Sequence, residues 1–115
     1  METIKYCHEG LEYWIFHIDM EKTKDFYCKQ EAPTESPFLK RYPEDMKNFL
    51  TQCGIDYKKP FDGFSENGTQ YRVYGTAHSD IGYELDFYGR EQYASICICF
   101  DNPFPDAASF TMIVC

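Results

Sequence analysis

Two carboxylates in the segment YELDFY, Glu84 and Asp86, stand two positions apart, which places both side chains on one face of a β-strand. In a cleft, such a pair could act as the acid and the base of a reaction. On an open sheet, the pair would be either a solvated face or part of a protein-binding surface. We favour the binding surface, because tyrosine is enriched at interfaces and carboxylates steer a basic partner. The predicted partner-binding residues are Asp80, Glu84, Asp86, Tyr88, Tyr93 and Asp101.

A metal site is a second candidate, since the chain has six cysteines and three histidines. A structural zinc site normally contains close pairs such as C-x2-C, which let two thiolates reach one ion, and the sequence has none. Cys97 and Cys99 share one face of a strand, and Cys7 precedes His8. Small side chains on a sheet surface explain the first pair better than chelation does. We therefore predict no metal and no cofactor.

A hydrolase triad is a third candidate, because His78, Ser79 and Asp80 are its three residue types. Consecutive residues of an extended chain point in opposite directions, so these three cannot form the triad among themselves. The signatures G-x-S-x-G, G-x-x-x-x-G-K-[ST], G-x-G-x-x-G and H-E-x-x-H are absent. The sequence predicts no catalytic residue and a protein that is not an enzyme.

The charge of the chain narrows the class of partner. Nineteen acidic and eleven basic residues give a net charge of −8 and an isoelectric point near 4.7. Coulomb repulsion opposes direct binding to nucleic acid or to anionic membranes and favours a cationic partner. The alternative is that acidity only keeps an aromatic-rich protein in solution.

The beginning of the sequence bears on the compartment. METIKYCHEGLEYW has no basic segment followed by an apolar run, and no stretch approaches the roughly 18 apolar residues of a membrane span. If this is the native start, we expect a cytoplasmic protein with reduced cysteines. In that compartment, Asn67-Gly68-Thr69 is a hairpin turn and not a glycosylation site.

The elements that position these residues follow from periodicity. The 115 residues match one domain, and their ten tyrosines, ten phenylalanines and one tryptophan favour strands. Residues 11–19 read as a central strand, and residues 25–30 as a second strand. One principal helix is predicted over residues 43–53, because Pro43 begins an i, i+3, i+4, i+7 apolar stripe that ends at Gly54. A short helical turn, 37–42, precedes it.

Two hairpins and a final strand complete the pattern. Asn67-Gly68 joins residues 62–65 to 70–77, and residues 83–88 pair with 93–100 so that every apolar pair shares one face. That face contains Tyr83 opposite Ile98, Leu85 opposite Ile96 and Phe87 opposite Ala94. The last strand spans residues 109–115. The predicted fold is a single α+β domain, 1–115, with about six or seven mainly antiparallel strands, either as a sandwich or as a curved sheet around the helix.

Three functions are compatible with this description. The first is an inhibitor or immunity-type protein that blocks a basic partner such as a toxin or nuclease. The second is a small-molecule-binding domain with an aromatic pocket between helix and sheet, anchored by His17 or His78. The third is a homo-oligomer, for example a homodimer joined through the uncharged last strand, SFTMIVC, if that strand lies at an edge.

Overall fold

A computed structural model describes residues 1–30, 37–65, 68–80 and 82–114. Over these ranges the chain forms seven antiparallel strands, two α-helices and one 3-10 helix, which confirms the α+β fold class. The elements are β1 (Glu2–His8), β2 (Leu11–Ile18), α1 (Met20–Lys29), the 3-10 helix (Pro37–Arg41), α2 (Glu44–Gln52), β3 (Phe61–Ser65), β4 (Gly68–His78), β5 (Leu85–Gly89), β6 (Gln92–Cys99) and β7 (Ser109–Val114).

The strand order is β1-β2-β4-β7-β6-β5, with β3 pairing to one end of β4. The last strand, β7, lies between β4 and β6 and is therefore not an edge, so it cannot join two copies in the way the third hypothesis required. β1 and β5 end the path. The predicted turn residue Asn67 and the terminal Cys115 lie outside the described residues, while β3 and β4 pair antiparallel as predicted.

The predicted register of the β5–β6 hairpin is confirmed. Leu85 lies opposite Ile96 and Phe87 opposite Ala94, and all four side chains are buried. The strand begins at Leu85, however, and Tyr83 lies before it with 65% of its surface exposed. Placing Tyr83 on the core face was wrong, because the ladder begins only at Leu85, and the Tyr83 carbonyl accepts a 2.6 Å hydrogen bond from the Trp14 indole instead.

The predicted strand at residues 25–30 is also wrong, since this segment is part of α1. The Asp19 carboxylate accepts a hydrogen bond from the backbone N–H of Lys22 and so caps the helix, and Lys29 pairs with Asp25 one turn earlier at 2.8 Å. These local helical interactions outweigh the strand preference of the aromatic residues in the segment. The chain therefore has a second α-helix beside the predicted one.

Helix α1 completes the hydrogen bonding of β4 along the edge that does not face β7. β2 pairs with one end of β4 and β3 with the other. Between them, the Tyr27 hydroxyl donates to the Arg72 carbonyl at 2.8 Å, and the Thr23 hydroxyl accepts from the Tyr74 N–H at 3.2 Å. The Asp19 N–H donates to the Tyr74 carbonyl at 2.9 Å. On this edge, the backbone of residues 72 and 74 is thus satisfied by side chains of α1 and by its capping residue, while β7 pairs with the opposite edge.

Helix α2 matches the predicted helix and lies inside the curve of the sheet. Its Phe49 ring contacts Tyr6 of β1, Phe16 of β2 and Phe87 of β5, with centroid separations of 6.5, 5.6 and 5.5 Å. One helix side chain therefore reaches strands from both ends of the sheet. This contact set supports the curved-sheet alternative, because the two ends could not meet one residue if the sheet were flat.

Candidate functional site

The outer face of the β5–β6 hairpin brings four of the predicted site residues together. Glu84, Asp86, Tyr88 and Tyr93 lie on this side, and we call them the tyrosine–carboxylate surface. Tyr88 and Tyr93 are 61% and 54% exposed, and their rings lie 5.2 Å apart across the ladder. The period-2 alternation directs their neighbours Leu85 and Phe87 inward, so the aromatic rings on this face are left to solvent.

Hydrogen bonds orient the acidic groups of this surface. The Tyr93 hydroxyl donates to Asp86 Oδ1 at 3.0 Å, and this bond raises the pKa of Tyr93 above its ordinary value. Cys97 Sγ lies 3.7 Å from Glu84 Oε2. Ser95, which lies between Tyr93 and Cys97 on β6, is buried. The Asp86 carboxylate is therefore held by a hydrogen bond within the hairpin.

The two remaining predicted residues have other contacts. Asp80 lies just after β4, where its Oδ1 is 3.1 Å from His78 Nε2, and both side chains are exposed. Asp101 follows β6, and its two carboxylate oxygens each lie 2.9 Å from the buried Thr111 hydroxyl. These contacts place both aspartates at strand ends, outside the tyrosine–carboxylate surface itself.

Two exposed aromatic residues near this surface were not predicted as part of the site. Tyr83 precedes β5, and Phe100 follows β6 with 66% of its surface exposed. Both are supported by the buried Trp14, which donates to the Tyr83 carbonyl and stacks on the Phe100 ring at 6.2 Å. The alternating pattern had assigned Tyr83 to the core, and no local signal distinguishes the two placements.

The two ends of the sheet meet along a seam. The Tyr6 hydroxyl of β1 donates to the Asp86 carbonyl at 2.9 Å and accepts from the Asp86 N–H at 3.0 Å. Burial raises the pKa of Tyr6 above its ordinary value. One side chain thus satisfies both edge-facing backbone groups of Asp86, which protects this part of the β5 edge from pairing with another strand.

Beside this seam is an open cleft of about 190 Å³, which we call the seam cleft. Its lining residues are Tyr6, His8, Tyr13, Tyr83, Glu84 and Asp86. A second groove of about 380 Å³ shares three of these residues with it. The lining of that groove is Lys5, Tyr6, Cys7, His8, Asp45, Asp86, Phe87 and Tyr88. The seam therefore separates two neighbouring depressions next to the tyrosine–carboxylate surface.

The histidines proposed as pocket anchors lie elsewhere. His17 is exposed on β2, with its Nδ1 3.3 Å from the Thr3 hydroxyl, and His78 is exposed beside Asp80. Neither lines any of the four clefts defined by described residues, whereas His8 lines two of them. Among the described clefts, those at the seam are thus lined by His8 and not by His17 or His78.

The segment His78-Ser79-Asp80, which contains the three residue types of a hydrolase triad, holds a loop in position. The Ser79 hydroxyl donates to the Tyr13 carbonyl and accepts from the Gly82 N–H at 2.9 Å. These bonds tie the loop after β4 to β2. Ser79 therefore contributes to the position of the chain that enters the tyrosine–carboxylate surface.

The five described cysteines differ in their exposure to solvent. Cys53 is fully buried, and burial raises its pKa to about 12, while Cys7 and Cys28 are exposed and Cys97 and Cys99 are partly exposed. None of these five forms a disulfide. Among the residues that the structure describes, no three His, Cys, Asp or Glu side chains are grouped closely enough to hold a metal ion. Only Cys53 behaves as the small core residue that we expected of a reduced cysteine.

Comparisons with protein-family models, with curated proteins and with solved structures find no match to this chain. Over the described ranges, neither α-helix is long and apolar enough to cross a membrane. The case for function therefore rests on the residues and contacts of the chain itself.

Proposed function

We propose that this protein binds a basic partner protein through the tyrosine–carboxylate surface, as a small inhibitor or immunity-type protein does. A cationic toxin or nuclease is the type of target that such a surface suits. The observation that carries the proposal is the concentration of exposed aromatic rings and carboxylates on one hairpin. The proposal is for binding and not for catalysis, and it places the protein in the cytoplasm.

The exposed rings are the first support. Six large hydrophobic side chains of the described residues are strongly exposed, and four of them belong to the β5–β6 hairpin and its two flanks: Tyr83, Tyr88, Tyr93 and Phe100. Aromatic side chains contribute large contact areas and have few rotatable bonds, so they lose little entropy on binding. Tyr88 and Tyr93, whose rings lie 5.2 Å apart, form an exposed pair on the sheet face, and tyrosine is enriched among the residues that dominate binding energy.

The distribution of charge is the second support. Residues 20–60, which include both helices, contain seven acidic and eight basic residues. The rest of the chain, which forms the sheet, contains twelve acidic and three basic residues. The negative charge therefore belongs to the strands and their loops. An electrostatic field of this kind accelerates association with a cationic partner and weakens as salt is added.

The order already present in the surface is the third support. The Tyr93 hydroxyl bond to Asp86 and the contact of the Tyr88 and Tyr93 rings define the arrangement in the free protein. A surface that is arranged before binding loses less conformational entropy when the partner docks. A solvated face that served only solubility would not require these contacts.

The proposal is tested by affinity capture from a lysate of the native host, at low and at high salt, with mass spectrometry. Three baits are compared: the natural protein, the charge-reversal variant Glu84→Lys/Asp86→Lys, and a control variant, Glu2→Lys/Asp106→Lys. The control changes the net charge by the same amount at two exposed positions away from the surface.

We expect one basic protein to be retained by the natural and control baits at low salt, and lost from the Glu84→Lys/Asp86→Lys bait. Equal retention by all three baits would contradict the proposed surface. If nothing is retained, the small-molecule hypothesis becomes the better one, and a ligand screen directed at the two seam depressions follows. Light scattering of the natural protein tests the remaining alternative, a homodimer.

A further inference from the structure

We infer that the seam cleft binds an arginine side chain of the basic partner. This inference rests on the proposed function and specifies which chemical group of the partner is recognised. It rests on three properties of the cleft: its aromatic walls, its carboxylates and its volume.

Four of the six residues that line the cleft have aromatic rings. Tyr6 and Tyr13 form one wall, with ring centroids 6.4 Å apart, and the His8 ring lies 6.0 Å from Tyr13. Tyr83, on the segment that enters β5, also lines the cleft. Aromatic faces attract a cation placed over them, and a flat guanidinium also stacks on them.

The carboxylates of the cleft favour the same occupant. Glu84 is exposed at the cleft, and the Asp86 backbone forms part of the seam beneath it. The Glu84 carboxylate supplies one negative charge at the lining, and the Asp86 carboxylate, which accepts from the Tyr93 hydroxyl, supplies a second one near Tyr6. Arginine presents five N–H donors in a planar fork, so it can pair with a carboxylate and stack on a ring at the same time. Lysine, a point charge, cannot do both as effectively.

The volume of the cleft suits the end of one side chain better than a drug-sized ligand. Sites for drug-sized ligands usually measure roughly 300–1,000 Å³. At about 190 Å³, the seam cleft is smaller than these sites and is open to solvent. It suits the end of one long side chain that projects from a larger partner docked on the neighbouring tyrosine–carboxylate surface.

Hydrogen bonds hold the two walls at a defined distance. The Tyr6 hydroxyl binds the Asp86 backbone, and the Trp14 indole binds the Tyr83 carbonyl at 2.6 Å. The Ser79 hydroxyl joins the loop before Tyr83 to the Tyr13 carbonyl. All three connections run between β1 or β2 and the segment 79–86. A guanidinium would therefore enter a site that is already formed, which reduces the entropic cost of binding.

The experiment titrates the ¹⁵N-labelled protein with N-acetyl-arginine amide and follows backbone amide shifts by NMR. N-acetyl-citrulline amide, which has nearly the same shape without the charge, is the probe control. The variants are Tyr83→Ala and Glu84→Gln, with Glu2→Gln as an exposed carboxylate control on the N-terminal end of β1.

We expect saturable shifts at Tyr83, Glu84 and Asp86 with the arginine probe and none with citrulline. Each cleft variant should weaken the arginine probe about two- to fivefold, which corresponds to one exposed cation–π or charge contact. Glu2→Gln should leave the affinity unchanged. Shifts that do not saturate, that spread over the acidic face, or that give the same affinity in both cleft variants as in the natural protein would overturn the inference.

The two proposals fail in different ways. If a partner is captured and Glu84→Lys/Asp86→Lys abolishes binding while the arginine probe gives no saturable shifts, the seam cleft inference is wrong and the binding surface stands. If the probe binds in the cleft and no partner is captured by any bait, the binding function fails while the guanidinium site remains.

Discussion

The buried and the exposed tyrosines of this protein differ in what their hydroxyl groups do. In the interior, the Tyr71 hydroxyl donates to the Tyr57 carbonyl at 2.7 Å and lies 2.9 Å from the Tyr42 hydroxyl, while Tyr27 donates to the backbone of β4. On the surface, Tyr88 and Tyr93 expose more than half of their area. Buried tyrosines therefore stabilise the fold, whereas the exposed pair leaves most of its area to solvent.

This difference shows how one residue type can serve two purposes in a domain with few aliphatic residues. A buried ring contributes apolar area to the core, but its hydroxyl needs a partner, because an unsatisfied buried polar group destabilises the protein. Every buried side-chain nitrogen and oxygen of the described residues has a hydrogen-bond partner. An exposed tyrosine has no such requirement, since water satisfies its hydroxyl.

The largest expected effect is a loss of folding stability at high pH, which is caused by the buried groups. Burial raises the pKa values of Tyr27 and Tyr71 far above the ordinary 10.0, and that of Cys53 from 9.0 to about 12. The folded protein therefore holds these protons more tightly than the unfolded chain does. The free energy of unfolding is therefore at its full value below about pH 9. At higher pH it falls by about 1.4 kcal/mol per pH unit for each group, over the range between the pKa of that group in the unfolded chain and its pKa in the folded protein.

Urea unfolding at several values between pH 8 and pH 11 measures this loss. The variant Tyr71→Phe removes one of the groups and should reduce the slope. A free energy of unfolding that stays constant up to pH 11 would mean that these side chains are not buried as described.

The second effect is on the free energy of unfolding at neutral pH. Tyr71→Phe removes the hydroxyl that satisfies the Tyr57 carbonyl and contacts Tyr42, so we expect a loss of about 1–3 kcal/mol. Urea denaturation followed by circular dichroism measures it. The matched control is Tyr93→Phe at the exposed site, which should change the stability far less. Equal losses in the two variants would remove the distinction between the sets.

The third effect concerns Tyr6, which joins the two ends of the sheet. Tyr6→Phe removes both hydrogen bonds to the Asp86 backbone, and we expect a loss of about 0.5–1.5 kcal/mol. The Asp86 amide should also exchange its hydrogen faster, while amides in the interior of β7 remain protected. Unchanged exchange at Asp86 would show that the seam is held by other contacts.

The smallest effect on stability is expected at the exposed pair. Tyr88→Ala and Tyr93→Ala should each change the free energy of unfolding by no more than about 0.5 kcal/mol. Binding of the captured partner should weaken by about tenfold or more, as expected for central aromatic residues of an interface. Calorimetry measures the affinity and thermal unfolding the stability. Substantial destabilisation would show that these rings belong to the core.

Prediction from the sequence succeeded where the signals were local. The β5–β6 register followed from alternation in two short segments, and helix α2 followed from Pro43, its apolar stripe and Gly54. It failed at α1, where the aromatic segment was read as a strand although Asp19 caps a helix. Strand β1 was not predicted either, although Ile4 and Tyr6 alternate with exposed residues along it.

The tyrosine–carboxylate surface could be predicted because its four residues belong to one hairpin. The seam cleft could not, since Tyr6 and Asp86 are 80 positions apart and meet only when the sheet curves around α2. Tyr83 shows the same limit, because it lies outside the ladder and its carbonyl is held by Trp14 of a distant strand.

The sequence by itself determined the α+β class, the acidic character and the faces of the β5–β6 hairpin, because each depends on composition or on residues close together in the chain. The tertiary structure alone decided which tyrosines are buried and which are exposed. It also decided that β7 lies inside the sheet and that β1 meets β5. These outcomes depend on packing between elements far apart in sequence, and no local pattern encodes that packing.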